Sequence, residues 1–388
     1  MIQMVQQLPI NLRTLKWARE SANISVEEVA FRMEKDTVIV EDWEKGAKSP
    51  TYIQLEKLAY EIYKRPIAIF FFPDPPKEVD PKGSFRTLPA SELNNLPSTF
   101  LKLFRDAQAM QINLEELNDG TNPEPKKIFR DLSFSPGDGA QKTATAVREY
   151  LGITLKTQLQ WKDVRTALEE WRRAIESKGI YVFKDAFHLD EISGFCIYDR
   201  EFPVIYLNNS MPLTRQVFTL FHELVHLLLK TGGIDKRNDA FLRKLRGDNK
   251  KAEVLCNKFA GVFLVPDSDF ETILHKVKPD EEGIRQLAYR YKVSREVILR
   301  KYLDRKLIDR AYYEQKRKQW TEEAQKRRKQ GKGGDYYRNV VAYRGETYLE
   351  LAFNKYYQGR FDTSQLAEYL GVKVTYVPGV ESEYLSRT

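Results

Sequence analysis

The chain has 388 residues, 42% hydrophobic and 30% charged, and its 21 Tyr and 21 Phe supply packing groups that a disordered chain lacks, so two or three folded units are expected. The longest strongly apolar runs, such as residues 67–72, fall far short of the ~20 residues a membrane-spanning helix needs, and the first ten residues carry no basic-then-apolar leader, so we expect a soluble, cytoplasmic protein without a membrane partner. The net charge of +8 is uneven: residues 301–332 hold twelve Lys or Arg against five Asp or Glu, whereas residues 1–72 hold ten against ten, so the basic character belongs to the C-terminal third.

The first seventy residues read as four short helices. Leu12, Leu15, Trp17 and Ala18 form one apolar stripe; Val26, Val29 and Ala30 a second; Val38, Val40 and Trp43 a third; Leu55, Leu58 and Ala59 a fourth. Ser25, with Glu28 three residues on, is a capping-box start, and Gly46 and Pro50 break the chain between the third and fourth helices. Each helix is too short to stand alone, so the four must share one small core. The run Ser25-Val26-Glu27-Glu28-Val29-Ala30, then residues 40–46, Ser49-Pro50 and residues 55–59, resembles the XRE (lambda-repressor-like) helix-turn-helix family. In that family the third helix enters the major groove of DNA. Here Glu34, Asp36, Glu41, Asp42 and Glu44 lie on and around that helix, and phosphates would repel them, so DNA binding and protein docking both stay open.

Pro73-Asp74-Pro75-Pro76, followed by Pro81 and Gly83, cannot continue a helix and reads as a linker. Residues 97–118 and 141–177 are expected to be helical, and the runs 180–183, 194–198 and 204–207 to be three short strands. The strand at 204–207 leads into the next helix and is expected either to edge a substrate groove or to lie in the core.

That helix, over about 214–230, contains His222-Glu223-Leu224-Val225-His226. Residues four apart share one helix face, so both imidazoles can reach one ion while Glu223 reaches a water beside it. Neutral imidazole suits zinc, and a carboxylate next to an acidified water can act as general base and then return the proton to a leaving nitrogen. The chain has only four histidines; the other two, His188 and His275, have no such partners in the sequence and read as surface or structural residues.

A catalytic zinc needs a third protein ligand. The sequence after His226, residues 227–233, holds no further histidine, so a carboxylate on a later helix is the remaining common solution. Glu253, on a helix expected over 250–264, sits beside an apolar stripe and could point inward; Asn257, one turn on, could hydrogen-bond a ligand. Asp235, Asp239 and Asp248 compete from a polar connection that reads as solvated, and Cys256 is a less usual donor for a hydrolytic site. Both cysteines, Cys196 and Cys256, otherwise read as buried thiols, too few for a disulfide framework.

Residues 194–266 resemble the ImmA/IrrE family of metallo-endopeptidases through Gly194-Phe195, residues 203–208, residues 215–229 and Glu253 to Pro266 with Asn257, Phe259-Ala260 and Leu264-Val265-Pro266. The resemblance implies His222, His226 and Glu253 as zinc ligands and Glu223 as general base. It also implies an XRE module as a common fusion partner, and action on helix-turn-helix repressors in stress responses, mobile-element control or toxin-antitoxin pairs. Tyr198, Tyr206 and Arg215 are candidates for stabilising an oxyanion by their place in the sequence.

Beyond 279, apolar positions predict a further helical bundle, with residues 312–332 a polar helix ending in a basic arm, helices at 348–357 and 363–370, and a short strand at 372–376. The expected fold class is α+β and mostly helical. An XRE-like domain occupies 1–72, a linker 73–96, a zincin-like metallopeptidase domain with a small sheet 97–275, and a helical region with a basic arm 276–388. The expected function is a zinc endopeptidase acting on a regulatory protein. The alternative is a DNA-binding regulator or antitoxin in which the protease fold docks a protein or toxin partner.

Overall fold

The apolar stripes near the N-terminus become helices because side chains satisfy their free amides. In the computed structural model, which describes residues 8–85, 88–236, 245–328 and 334–387, Asn11 caps helix α1 (Leu12–Ser21) and Ser25 caps α2 (Val26–Met33), its Oγ accepting from the Glu28 amide at 3.2 Å. Helix α3 (Thr37–Lys45) stops at Gly46, whose φ of +79° suits glycine, and Thr51 and Gln54 cap α4 (Tyr52–Glu56) reciprocally. Leu15, Ala18, Val29, Ala30, Val40, Trp43, Leu55, Leu58 and Ala59 share one core, as the stripes require; Val38, assigned to the third stripe, is exposed.

The chain divides into two compact units, one of residues 1–108 with 187–189 and the other of 109–186 with 190–388. The second unit holds the only sheet among the described residues. The segment 141–177 is not one helix but three: α5 (Ala140–Leu151), α6 (Leu155–Gln160) and α7 (Val164–Glu176). Gly152, at φ +70°, ends the first, and Thr154 and Asp163 each cap a new start.

Strands β1 (Tyr181–Asp185), β2 (Ile192–Ile197) and β3 (Val204–Asn208) match the three predicted runs, and a fourth, β4 (Gly233–Lys236), joins them. The order is β1-β3-β2-β4, with β1 parallel to β3 and the other pairs antiparallel. β3 is therefore an interior strand, paired on both sides. Its backbone is committed to β1 and β2, which corrects the alternative that 204–207 edges a substrate groove.

Helix α8 (Leu213–Leu228) is buried nearly all round, its polar Gln216, Thr219, His222, Glu223 and His226 included. It packs against the sheet and against helices α7 and α9 (Gly247–Leu264). Trp171, Phe221 and Phe263 knit the three helices together, with ring centroids 4.9 and 4.2 Å apart along that path. Each fully buried large side chain here contributes about 1.5–3 kcal/mol. The core continues past residue 275 through Ile284, Leu287 and Tyr291 of α10 (Glu281–Tyr291) and Ile298, Leu299 and Tyr302 of α11 (Arg295–Asp304), reaching Tyr313 and Trp320 of α12 (Arg310–Arg328).

Four further helices follow: α13 (Tyr336–Arg344), α14 (Glu346–Tyr357), α15 (Thr363–Leu370) and α16 (Val377–Leu385). The strand expected at 372–376 is absent; a tight turn at Val374–Tyr376 leads into α16 instead. Gly371 ends α15 at φ +68°, Val372 bonds back to Ala367, and Val377 and Val380 bury themselves in the last helix, so the β-branched run finds no partner strand. The end of the predicted basic arm, residues 329–333, and Asp239 lie outside the described residues. No helix among the described residues is long and apolar enough to cross a membrane.

Candidate metal centre

Helix α8 places His222 and His226 one turn apart on one face, and their Nε2 atoms lie 3.3 Å from each other. Packing of α9 against α8 brings in Glu253. Its Oε2 is 3.5 Å from His222 Nε2 and its Oε1 3.3 Å from His226 Nε2. All three side chains are buried, and neither Glu253 oxygen accepts a hydrogen bond. An ordinary buried carboxylate would be hydrogen-bonded, because an unsatisfied one costs several kcal/mol (about 3–5 when a charge loses its partner).

Donors at about 2.05 Å around a tetrahedral ion stand about 3.3 Å apart. The three separations of 3.3, 3.3 and 3.5 Å therefore suit a single small cation, and a two-imidazole, one-carboxylate donor set is one that zinc accepts. The residues present fit a zinc ion.

Glu223 follows His222 on α8, fully buried, with neither oxygen hydrogen-bonded. Burial raises its pKa, against the lowering effect of His226 and His222. Cys196 of β2 lies beside it: burial and the Glu223 carboxylate together push that thiol's pKa well up. Glu253 responds the other way. Burial alone would raise it, but His226 and His222 hold it well below the usual carboxylate range. For His222, burial lowers the pKa while Asp235, Glu253 and Glu223 outweigh it and bring the metal-free imidazole to about 9.

Asp235 is where the sequence reading fails most clearly. It is not in a solvated connection but on β4 and 3% exposed, accepting from Arg215 Nη2 at 2.6 Å and Thr219 Oγ1 at 2.7 Å. Arg215 also donates through Nε to Ser193 at 2.9 Å, so one guanidinium ties α8 to β2 and β4. Asp248 is exposed at the start of α9 and stays apart, as do the exposed His188 and His275. Asn257 meets Glu253 through the main chain: Nδ2 donates to the Glu253 carbonyl at 3.1 Å, not to its carboxylate. Tyr206 is buried between Phe195 and Phe183, and Tyr198 is half-buried against the separate core that holds Ile205 and Leu207.

One contributor escaped the sequence. Gly233 backs onto the His226 ring so closely that a Cβ there would stand 2.7 Å from Nε2 and nearer still to the ring carbons. The Gly232-Gly233 pair after the helix was the available signal. Cys256, which the sequence offered as a less usual donor, lies one turn beyond Glu253 with its sulfur within 4.8 Å of donor atoms of both His222 and His226.

Residues 175–302, the segment that holds all of these side chains, match the family model described as Peptidase_M78, the IrrE N-terminal-like domain. A stretch of 99 residues is 35% identical to the radiation response metalloprotease IrrE of Deinococcus deserti, covering 25% of this chain and 34% of that protein. The chain thus spans about a third of the length of the curated relative it matches. Together these likenesses support the ImmA/IrrE family for the segment that carries the cluster.

Proposed function

We propose that the second unit is a zinc-dependent endopeptidase of the ImmA/IrrE type, acting on a regulatory protein such as a helix-turn-helix repressor. The observation that carries this reading is the convergence of His222, His226 and Glu253 within 3.3–3.5 Å, with the buried carboxylate of Glu223 alongside. The likeness of residues 175–302 to a metalloprotease family supports it.

In this reading the two imidazoles hold the ion through Nε2 and Glu253 through its carboxylate. Zinc supplies Lewis-acid polarisation of a peptide carbonyl and makes a neighbouring water more acidic. Glu223 takes the proton from the attacking water onto a carboxylate oxygen and delivers it to the departing amide nitrogen. A carboxyl whose pKa is raised by burial is suited to both transfers near neutral pH. Arg215, held by Asp235 and Ser193, acts as a brace between helix and sheet.

For the first unit we read α2 and α3 as an XRE-type helix-turn-helix that recognises protein. Lys45 and Lys48 on and after α3 are tied to Glu41 and Asp42 at 2.7 and 2.9 Å, leaving little cation for phosphate. Phe31, Val38 and Ile53 stand exposed, as a protein contact favours.

The test is Glu223→Gln in the full chain, incubated with purified repressors or toxins encoded beside its gene. The reading expects one bound zinc as in the parent and cleavage reduced at least 100-fold, as loss of a general base does. Parent protein with zinc bound but no cleavage of any such partner contradicts it.

A further inference from the structure

A fourth donor adjoins the proposed ligand set. Cys256 lies on the same inward face of α9 as Glu253, one helical turn on, and is fully buried. Donor atoms of His222, His226 and Cys256 lie within 4.8 Å of one another. Around a tetrahedral zinc, sulfur at about 2.3 Å and nitrogen at about 2.05 Å stand about 3.6 Å apart, a separation that falls inside that 4.8 Å limit. The surroundings also call for a cation. All four carboxylate oxygens of Glu223 and Glu253 are buried with no hydrogen bond to satisfy them. That group of mutually close donors is His222, His226 and Cys256; Glu253 joins it through the two imidazoles at 3.5 and 3.3 Å, and Cys196 does not belong to it.

Resting on the metallopeptidase reading above, we propose that Cys256 is a ligand to the same ion and that its thiolate closes the centre at rest. The thiol gives its proton to solvent as the metal–sulfur bond forms, and the set becomes two imidazoles, one carboxylate and one thiolate. Four protein donors are the hallmark of a shut zinc site, whereas hydrolysis needs an open position. The thiolate and the reacting water therefore compete for one place, so the bound sulfur slows cleavage without abolishing it. Thiolate ligation also biases the centre toward zinc and cobalt over magnesium, calcium and manganese.

The experiment loads the full chain with Co²⁺ and records its near-ultraviolet absorption, with metal content measured on the same sample. One cobalt per chain is expected, with an intense thiolate-to-cobalt charge-transfer band. Cys256→Ala should lose the band while keeping the cobalt, and Cys196→Ala should keep both. Should Cys256→Ala fail to fold, X-ray absorption on the zinc-loaded parent serves in its place, and a sulfur shell near about 2.3 Å is expected. One bound metal with no charge-transfer band and no sulfur shell overturns the thiolate ligand and leaves the metallopeptidase reading standing. A band that survives Cys256→Ala overturns the assignment to this residue. A chain that binds no cobalt overturns both.

Discussion

Gly233 backs directly onto the ring of a proposed ligand, and its lack of a side chain is what lets the His226 ring sit where it does. Gly233→Ala must push that ring or the β4 backbone, and we predict a 10- to 100-fold loss of zinc affinity, the usual cost of disturbing a ligand's support. A competition titration against a chromogenic chelator checks this; unchanged affinity contradicts it. Asp235 gives a second prediction. Asp235→Ala leaves the Arg215 guanidinium and the Thr219 hydroxyl without their acceptor, so urea unfolding should show a loss of about 2–4 kcal/mol, discounted because Arg215 is partly exposed. These two residues mark the limit of the sequence reading. His222, Glu223 and His226 were legible because their relation is local, fixed by one helical turn. Asp235 was not, because the charged residues that follow it made a buried strand look solvated, and burial is decided by pairing with β2 and packing on α8, which no local pattern around Asp235 shows.

At the scale of single elements, β1 carries an unusual lysine. Lys184 is 8% exposed; burial chiefly, with help from the Arg172 guanidinium, lowers its pKa to about 7. The folded state thus binds this proton more weakly than the unfolded chain, whose lysine titrates near 10.5. Below pH 7 the cost of burying the charge is present in full, and it fades as the pH rises from 7 toward 10.5. We predict that Lys184→Met raises stability by roughly 2–4 kcal/mol at pH 6 and by much less at pH 10. Equal gains at both values, or a loss at pH 6, contradict this. Elements with strong internal periodicity were readable: α8 and α9 lie within a few residues of the spans expected. Elements defined by their partners were not. β4 is only four residues long and exists because β2 offers it an edge, while 372–376 has the residues of a strand and no edge to join.

For the whole molecule, the two units predict separable responses to metal removal. A ligand bound only by the folded state stabilises it by about 2.7 kcal/mol at a hundredfold excess over Kd, so chelation should lower the melting transition of the second unit and leave that of the first in place. Calorimetry with and without chelator reads this directly; a shift of both transitions, or of neither, contradicts it. The division falls elsewhere than the sequence placed its break: the Pro-rich segment at 73–76 lies inside the first unit, which runs on to residue 108. The core built around α8 runs on into α10, α11 and α12, because Tyr291, Tyr302 and Trp320 close it from positions that the sequence placed in a separate region.

The measurement that bears most directly on the account is the metal content of the full chain purified without chelator, by inductively coupled plasma mass spectrometry, beside His222→Ala, His226→Ala and Glu253→Ala. One zinc per parent chain is expected, lost or sharply reduced in each variant. A metal-free parent, or a Glu253→Ala chain that keeps its zinc with undiminished affinity, would contradict it.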